Sequence, residues 1–248
     1  MITWNSRFLS HVELWFDEPD PSRDFDVVMH RQAPRPVEGA VNEEFYTQLI
    51  DLTQCEDKIF AGFDRNTRSH INKARKDDLT FQMFRHPSHE QLEAFIAFYN
   101  RFAESKKLEL LFEPIVRASH ESGMMSFSQV LHEDKILVWH AHVSYGSRVT
   151  VTHSASHFRD ASDPAERNLV GRANRLTHWQ EMIAFKNLGL QAYDMGGWYA
   201  GGTDPSLLLV NRFKEEFGGE KVCEYNTRAE RSLRAKAIAA VRKHVVTS

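Results

Sequence analysis

A chain of 248 residues with 42% hydrophobic content can bury one large core or two small ones, and a net charge of −3 excludes a molecule that seeks polyanions over its whole surface. No apolar run approaches the ~20 residues needed to span a bilayer, and the start MITWNSRFLS lacks the basic end and apolar block of a signal peptide, so a soluble cytoplasmic protein is expected. Two lone cysteines, Cys55 and Cys223, without CxxC spacing exclude a zinc-ribbon or disulfide framework.

In chain order, residues 11–16 and 25–30 have strand composition and flank the turn-rich EPDPSRD, which predicts a pair of strands. Residues 42–54 place Phe45, Leu49 and Leu52 at helical spacing behind Asn42 as a cap, which predicts a surface helix. DRNTRSHINKARKDDL reads as a short helix ending near Asp78, with Arg65, Arg68, Lys73, Arg75 and Lys76 on it and no acid among residues 65–76. A strand over 79–84, a helix over 89–105 with an apolar stripe from Leu92 to Phe102, and a helix over 114–121 follow. Residues 125–131, 136–143 and 149–155, joined by HEDK and YGS, predict an antiparallel meander. Beyond the polar RDASDPAE, Leu169, Leu176, Trp179, Met182, Ile183 and Phe185 define a helix over 167–188.

The next stretch organises the reading. Residues 190–193 have the composition of a short buried strand closed by Asp194. Gly196, Gly197, Gly201 and Gly202 then allow a loop of unusual backbone, with Trp198 in it. A helix starts at Thr203 or Asp204 with Pro205 in its first turn, aims Leu208, Leu209, Phe213 and Phe217 at a core with Lys214 among them, and ends at Gly218-Gly219. From Thr227 a basic C-terminal helix is expected, carrying Arg228, Arg231, Arg234, Lys236, Arg242 and Lys243 against Glu230. One domain over 1–248 is predicted, with an elaborated half over 1–120, the core and its site over 121–226, and the basic helix over 227–248.

This order of antiparallel strands, helix, strand, glycine-lined loop and helix resembles the GNAT acyltransferase fold, an α/β (α+β) class with a mixed, mostly antiparallel sheet flanked by helices. RANRLTHWQEMIAFKNLGLQAYDMGG, NRFKEEFGG and RNTRSHINKARK resemble the corresponding segments of the Fem family, the peptidoglycan-bridge aminoacyltransferases and their relatives. The chain is too short for that family's two such units plus a coiled-coil arm. NLVGRA is a partial counterpart of the GNAT pyrophosphate loop: Gly171 and Ala173 fit, and Asn168 does not.

The resemblance implies acyl transfer to an amine, which needs a held carbonyl and a stabilised oxyanion but no covalent nucleophile. Asp194 is the candidate base or acceptor anchor, its alternative being a cap on loop N–H groups. Lys214, by its place in the Fem-like pattern, is the candidate contact to donor phosphate or ester oxygen, and Tyr193 a candidate proton donor to the leaving group. Asn168, Gly171, Arg172, Ala173 and Phe213 are candidates for binding the donor, Gly196, Gly197 and Trp198 for the acceptor loop, and Arg65, Arg68, Lys73, Arg75, Arg228, Arg231 and Arg234 for phosphate or RNA. His140, His142, His153 and His157 alternate without a Cys or carboxylate motif beside them, so no metal and no prosthetic group is expected. The co-substrate is read as aminoacyl-tRNA, or else acyl-coenzyme A, and the acceptor as a small or peptide-like amine; a non-catalytic RNA- or peptide-binding module is the reading of another class.

Overall fold

In the N-terminal half, alternation rather than helical spacing decides the backbone. The computed structural model describes residues 1–20, 24–156 and 163–246, with side chains described up to residue 241. The strands form one ten-stranded sheet. Four come first: β1 (Ile2–Asn5), β2 (Ser10–Trp15), β3 (Val27–Ala33) and β4 (Val41–Asp51). Two short helices, α1 (Glu56–Gly62) and α2 (Arg65–Ala74), lead to β5 (Leu79–Phe84), then to α3 (His89–Lys106) and α4 (Glu113–Glu121). The predicted meander is β6 (Met125–His132), β7 (Lys135–Tyr145) and β8 (Arg148–Ser156). After it come α5 (Pro164–Asn187), β9 (Ala192–Trp198), α6 (Pro205–Glu215), β10 (Glu220–Glu230) and α7 (Leu233–Val246).

The sheet order is β1-β2-β3-β10-β4-β9-β8-β7-β6-β5. Only β2–β3 and β8–β9 pair in parallel; the other ladders are antiparallel. The fold is therefore the mixed, mostly antiparallel sheet flanked by helices that the sequence predicts.

Three expectations change. Residues 42–54 are not a helix: residues 41–51 form β4, a central strand between β10 and β9. Its polar Thr47 and Gln48, which mimic the wet side of a helix, are buried and spent on hydrogen bonds inside the site. The strand after α5 starts later and runs through Gly196 and Gly197, so these glycines belong to β9 and not to a loop. The C-terminal segment is a strand as far as Glu230 before the helix begins, because β10 inserts between β3 and β4 and is held on both edges.

Alternation along β7 separates two layers. Trp139 and Ala141 join Phe95 of α3 and Val116 of α4 in one core, while Val138 packs with Val170 and Ala173 of α5 on the other face. On the α5 face the main core gathers Phe63 and Ile71 from the α1–α2 segment, Trp179, Met182 and Phe185 from α5, Tyr193 and Met195 from β9, and Phe217. Phe63 stands edge-on to both Trp179 and Phe217, tying α1 to α5 and to the end of α6.

The helix ends follow from sequence. Asp163 and Asp204 cap α5 and α6 with Pro164 and Pro205 in the first turns, and Ser88 with Gln91 closes a capping box on α3. At the other end of α6, Gly219 holds φ +88° with Leu49 O pressed against the place a Cβ would take. Gly219→Ala is expected to destabilise the fold by about 1–3 kcal/mol, read as a lower urea midpoint at unchanged slope.

Candidate functional site

The parallel pair β8–β9 is in register only over Arg148↔Ala192, Val149↔Tyr193 and Thr150↔Asp194. Beyond that point β8 continues beside β7 to Ser156 and β9 beside β4 to Trp198, so the sheet opens into a fork. At its base β9 carries a bulge opposite Gln48, between the pairs Thr47↔Gly197 and Leu49↔Asp194. Gly196 sits in this bulge with φ +74°, and a Cβ on it would stand 2.6 Å from Val151 O. Only glycine fits there.

Two cavities meet at the fork and share Val151, Thr152, Gly196 and Gly197. One, of about 360 Å³, lies toward α4 and is lined by Trp15, Gln32, Val116, Ser119 and His153 among others. The second, of about 640 Å³, lies between α5 and α6 and presents Lys106, Arg175, Lys214, Asn174, His178 and Phe213. No carboxylate is among the described residues lining this second cavity, although Arg175 is paired with Glu216 at 2.6 Å outside the lining.

Asp194 does not sit at an open strand mouth. It has 0% exposure, and each carboxylate oxygen is occupied: Oδ1 by the Thr47 hydroxyl and the Gly196 N–H (2.7 Å), Oδ2 by Gln32 Nε2 (2.6 Å) and Arg148 Nη2 (2.5 Å). The expected reachable carboxylate is thus a sealed one, and the capping alternative describes its bond to Gly196 N–H. Arg148 also grips Glu224 through both terminal nitrogens, at 2.6 and 2.8 Å. Burial alone would pull the guanidinium down, but Glu224 and Asp194 more than offset it and hold Arg148 above its ordinary value.

Lys214 reaches β9 from the α6 side. Its Nζ donates to Gly196 O at 2.9 Å and Gly197 O at 2.5 Å. Burial pushes the ammonium down to about 8, against the upward pull of Asp194. Asp194 and Lys214 therefore converge on one residue, Gly196, one bonding its N–H and the other its carbonyl. Asn211, one turn before, clamps the backbone of Tyr199 at both N–H (3.0 Å) and carbonyl (2.7 Å) and so fixes the chain leaving β9.

Tyr193 points the opposite way from Asp194, into the α5 face. Its hydroxyl donates to Glu181 Oε2 at 2.5 Å and lies 2.7 Å from His178 Nδ1. Burial, then Glu181, raise the phenol well above its usual value. Tyr193 is wholly buried and meets the second cavity only through His178, whose ring burial, then His140, hold well below its usual value. Glu181 also accepts from Ser128 and faces His140 and His142. Burial pushes this carboxyl up, yet the two histidines overcome that and hold it well below the usual range.

The other candidates divide. Gly171 and Phe213 line the second cavity. Asn168, Arg172 and Ala173 do not form a loop: residues 168–173 lie inside α5, where backbone N–H groups are committed to the helix ladder, so no pyrophosphate cradle exists there. Arg172 pairs with Asp77 at 2.7 Å, and Ala173 is core. Leu209 is not core but 61% exposed, facing the second cavity. Trp198 ends β9 with Lys221 over its ring. Arg228 is in β10 and bonds Glu230, while Arg231 and Arg234 pair with Asp20 and Asp26. On α2, Arg68 is turned back onto the carbonyls of Ala61 and Phe63, leaving Arg65, Lys73 and Arg75 on the exposed side. His153 packs edge-on against Phe95 and Tyr99, and burial lowers it to about 4. His157 lies outside the described residues.

With the geometry in hand, the chain can be set beside known proteins. No family model and no curated protein matches the sequence. Among solved structures the fold is similar to FemX, with TM-score 0.63 and 14% identity over 88% of this chain and 80% of that one. It is also similar to L-PGS from Bacillus licheniformis, with TM-score 0.54 and 15% identity over 87% and 72%. The C-terminal domain of a candidate lysylphosphatidylglycerol synthetase from Agrobacterium fabrum gives TM-score 0.55 at 14% identity over 88% and 72%. The fold is thus one that this chain shares with FemX and with these two other structures. No described helix is long and apolar enough to cross a membrane.

If Asp194 is a buried anchor, removing its charge must disturb the fold and not only chemistry. Asp194→Asn sets an amide N–H₂ against existing donors and strips Arg148 of one partner, with an expected loss of about 3–5 kcal/mol in equilibrium denaturation. Lys214→Met, at the cavity wall, should change that midpoint little.

Proposed function

We propose that this chain is an acyltransferase that forms an amide, taking an activated acyl group from an anionic carrier and giving it to a small or peptide-like amine. The observation that carries this reading is the meeting of two cavities at the β8–β9 fork, with Lys214 beside it. The carrier enters the larger cavity, where Lys214 faces a lining without carboxylates among the described residues, and Arg175, paired with Glu216 outside that lining, flanks it. The amine approaches through the smaller one. Nitrogen and carbonyl then meet where Gly196 leaves room that a side chain would fill.

In this reading Lys214 opposes the charge that develops on the carbonyl oxygen or on the carrier's phosphate. Its two backbone acceptors hold the ammonium in place before substrate arrives, so little reorganisation is needed. The new C–N bond forms, the C–O or C–S bond to the carrier breaks, and the amine proton leaves with the carrier. Asp194 contributes by fixing the fork.

Aminoacyl-tRNA is the carrier this reading favours, because the segment compared with a coenzyme A loop is helix interior. The exposed cations of α2 are then its phosphate contacts, since Arg228, Arg231 and Arg234 are already paired with acids. The test is to supply charged tRNA and acyl-coenzyme A in turn with an amine mixture and to look for the amide by mass spectrometry. Product from charged tRNA only, lost in Lys214→Ala, is expected; binding without turnover of either carrier would favour a non-catalytic module.

Two dependences follow. Donor affinity should fall steeply between low and moderate salt, and Lys73→Ala with Arg65→Ala should flatten that slope by about one unit for each phosphate that the variant no longer neutralises. Because the ammonium of Lys214 loses its proton as pH rises through about 8, donor affinity should also fall across that range. In Lys214→Met it should be weak and flat with pH.

A further inference from the structure

Behind the floor of the larger cavity is a polar cluster that acyl transfer does not use. His140 and His142 project from β7 and Glu181 from α5, all with 0% exposure. His140 Nδ1 is 2.8 Å and His142 Nε2 3.0 Å from the same oxygen, Glu181 Oε1. No carboxylate lies beside these histidines in the sequence, and the fold supplies one from 39 residues beyond His142.

Each ring stands between two hydrogen-bond acceptors. His142 Nδ1 faces the backbone carbonyl of Ser126 at 3.3 Å, and a carbonyl only accepts. On its other side Nε2 lies 3.0 Å from Glu181 Oε1, a second acceptor, and although buried it has no hydrogen-bond partner. His140 likewise stands between two acceptors, Glu181 Oε1 at 2.8 Å from Nδ1 and Asn174 Oδ1 at 3.2 Å from Nε2. A neutral imidazole has one N–H for the two acceptors facing it, so each buried ring leaves one acceptor unpaired beside the carboxylate unless positive charge sits between them. Either extra protons or a metal cation supplies it.

We propose that His140, His142 and Glu181 form a binding site for one divalent ion of the zinc class. Imidazole nitrogen with carboxylate oxygen and no sulfur is a donor set that suits zinc. Nitrogen–oxygen separations of 2.8 and 3.0 Å are shorter than the ~3.4 Å edge of a tetrahedron with ~2.1 Å metal–ligand bonds, so the two rings draw back by about half an ångström to admit the ion. Each ring also hands its remaining N–H to an oxygen, as metal-bound histidines do. Ser128 and Tyr193 donate to the carboxylate in the same outer role. The ion pins β7 to α5, one hydrogen bond from Tyr193 and two from His178 at the cavity wall. The site does not depend on the acyl-transfer reading.

The test uses the full chain stripped of metal with a chelator, then titrated with Zn²⁺ and, as a visible-absorption probe, Co²⁺. One equivalent of Zn²⁺ per chain, a rise in thermal midpoint on loading, and cobalt bands of nitrogen–oxygen ligation are expected. Glu181→Gln and His142→Ala should abolish stoichiometric binding, and Asn174→Ala, which touches only the outer shell, should weaken it about 10–100-fold. His153→Ala should leave it unchanged. If Glu181→Gln fails to fold, Asn174→Ala still decides. A folded wild-type chain that takes up no stoichiometric Zn²⁺ or Co²⁺, with both rings doubly protonated by ¹⁵N NMR at neutral pH, overturns the proposal in favour of protons.

Discussion

A carboxylate with no access to water must find a donor for each lone-pair direction within the protein, and Asp194 draws its donors from four strands. Gln32 comes from β3, Thr47 from β4, Arg148 from β8 and the Gly196 N–H from β9 itself. Those strands are not all neighbours, since β10 lies between β3 and β4. The single charge therefore fixes the lateral order of the sheet where it is about to split. Gln32 takes a left-handed backbone, φ +56°, to present its amide, a conformation that costs a non-glycine residue on the order of 1–2 kcal/mol and persists because Asp194, Glu224 and Asn226 all bond this residue.

The fork depends on that anchor. Parallel pairing of β8 with β9 stops at Thr150↔Asp194, the residue that carries the carboxylate. One position later the bulge begins, Gly196 turns its N–H back to Asp194, and its carbonyl is left for Thr47 and Lys214. The lysine is thus positioned by backbone that the aspartate positions. Carboxylate and ammonium need no direct contact for this, because the peptide of one glycine transmits the constraint.

What was legible in the sequence was what is local. Asp204 with Pro205 announces a helix start through nearest-neighbour chemistry, and HEDK and YGS announce tight turns between apolar runs; those elements stand where predicted. β4 was not legible, because its identity comes from β9 and β10, strands about 150 and 180 residues away, and its buried Thr47 and Gln48 look like the wet side of a helix. The site was half legible. Asp194, Lys214 and the glycines stood out by order, whereas Arg148, Gln32 and Glu181 look like ordinary strand or helix residues until the fold assembles their partners. Arg172 misled for the converse reason: Gly171 and Ala173 have the right spacing for a phosphate loop, but a helix capped at Asp163 has already begun there.

Tyr193 and Asp194 show why two adjacent polar residues can close a strand in a core. Successive side chains of a strand point to opposite faces, so the phenol enters the α5 layer and meets Glu181, while the carboxylate enters the other and meets Arg148. Each network is built without the other, and each borders a different cavity: Gln32 lines the smaller and His178 the larger. A substitution at either position is therefore felt first in its own layer. Gly196, which both cavities share with Val151, Thr152 and Gly197, is bonded by Asp194 from one side and by Lys214 from the other. That places a narrow tolerance for change on a residue without a side chain.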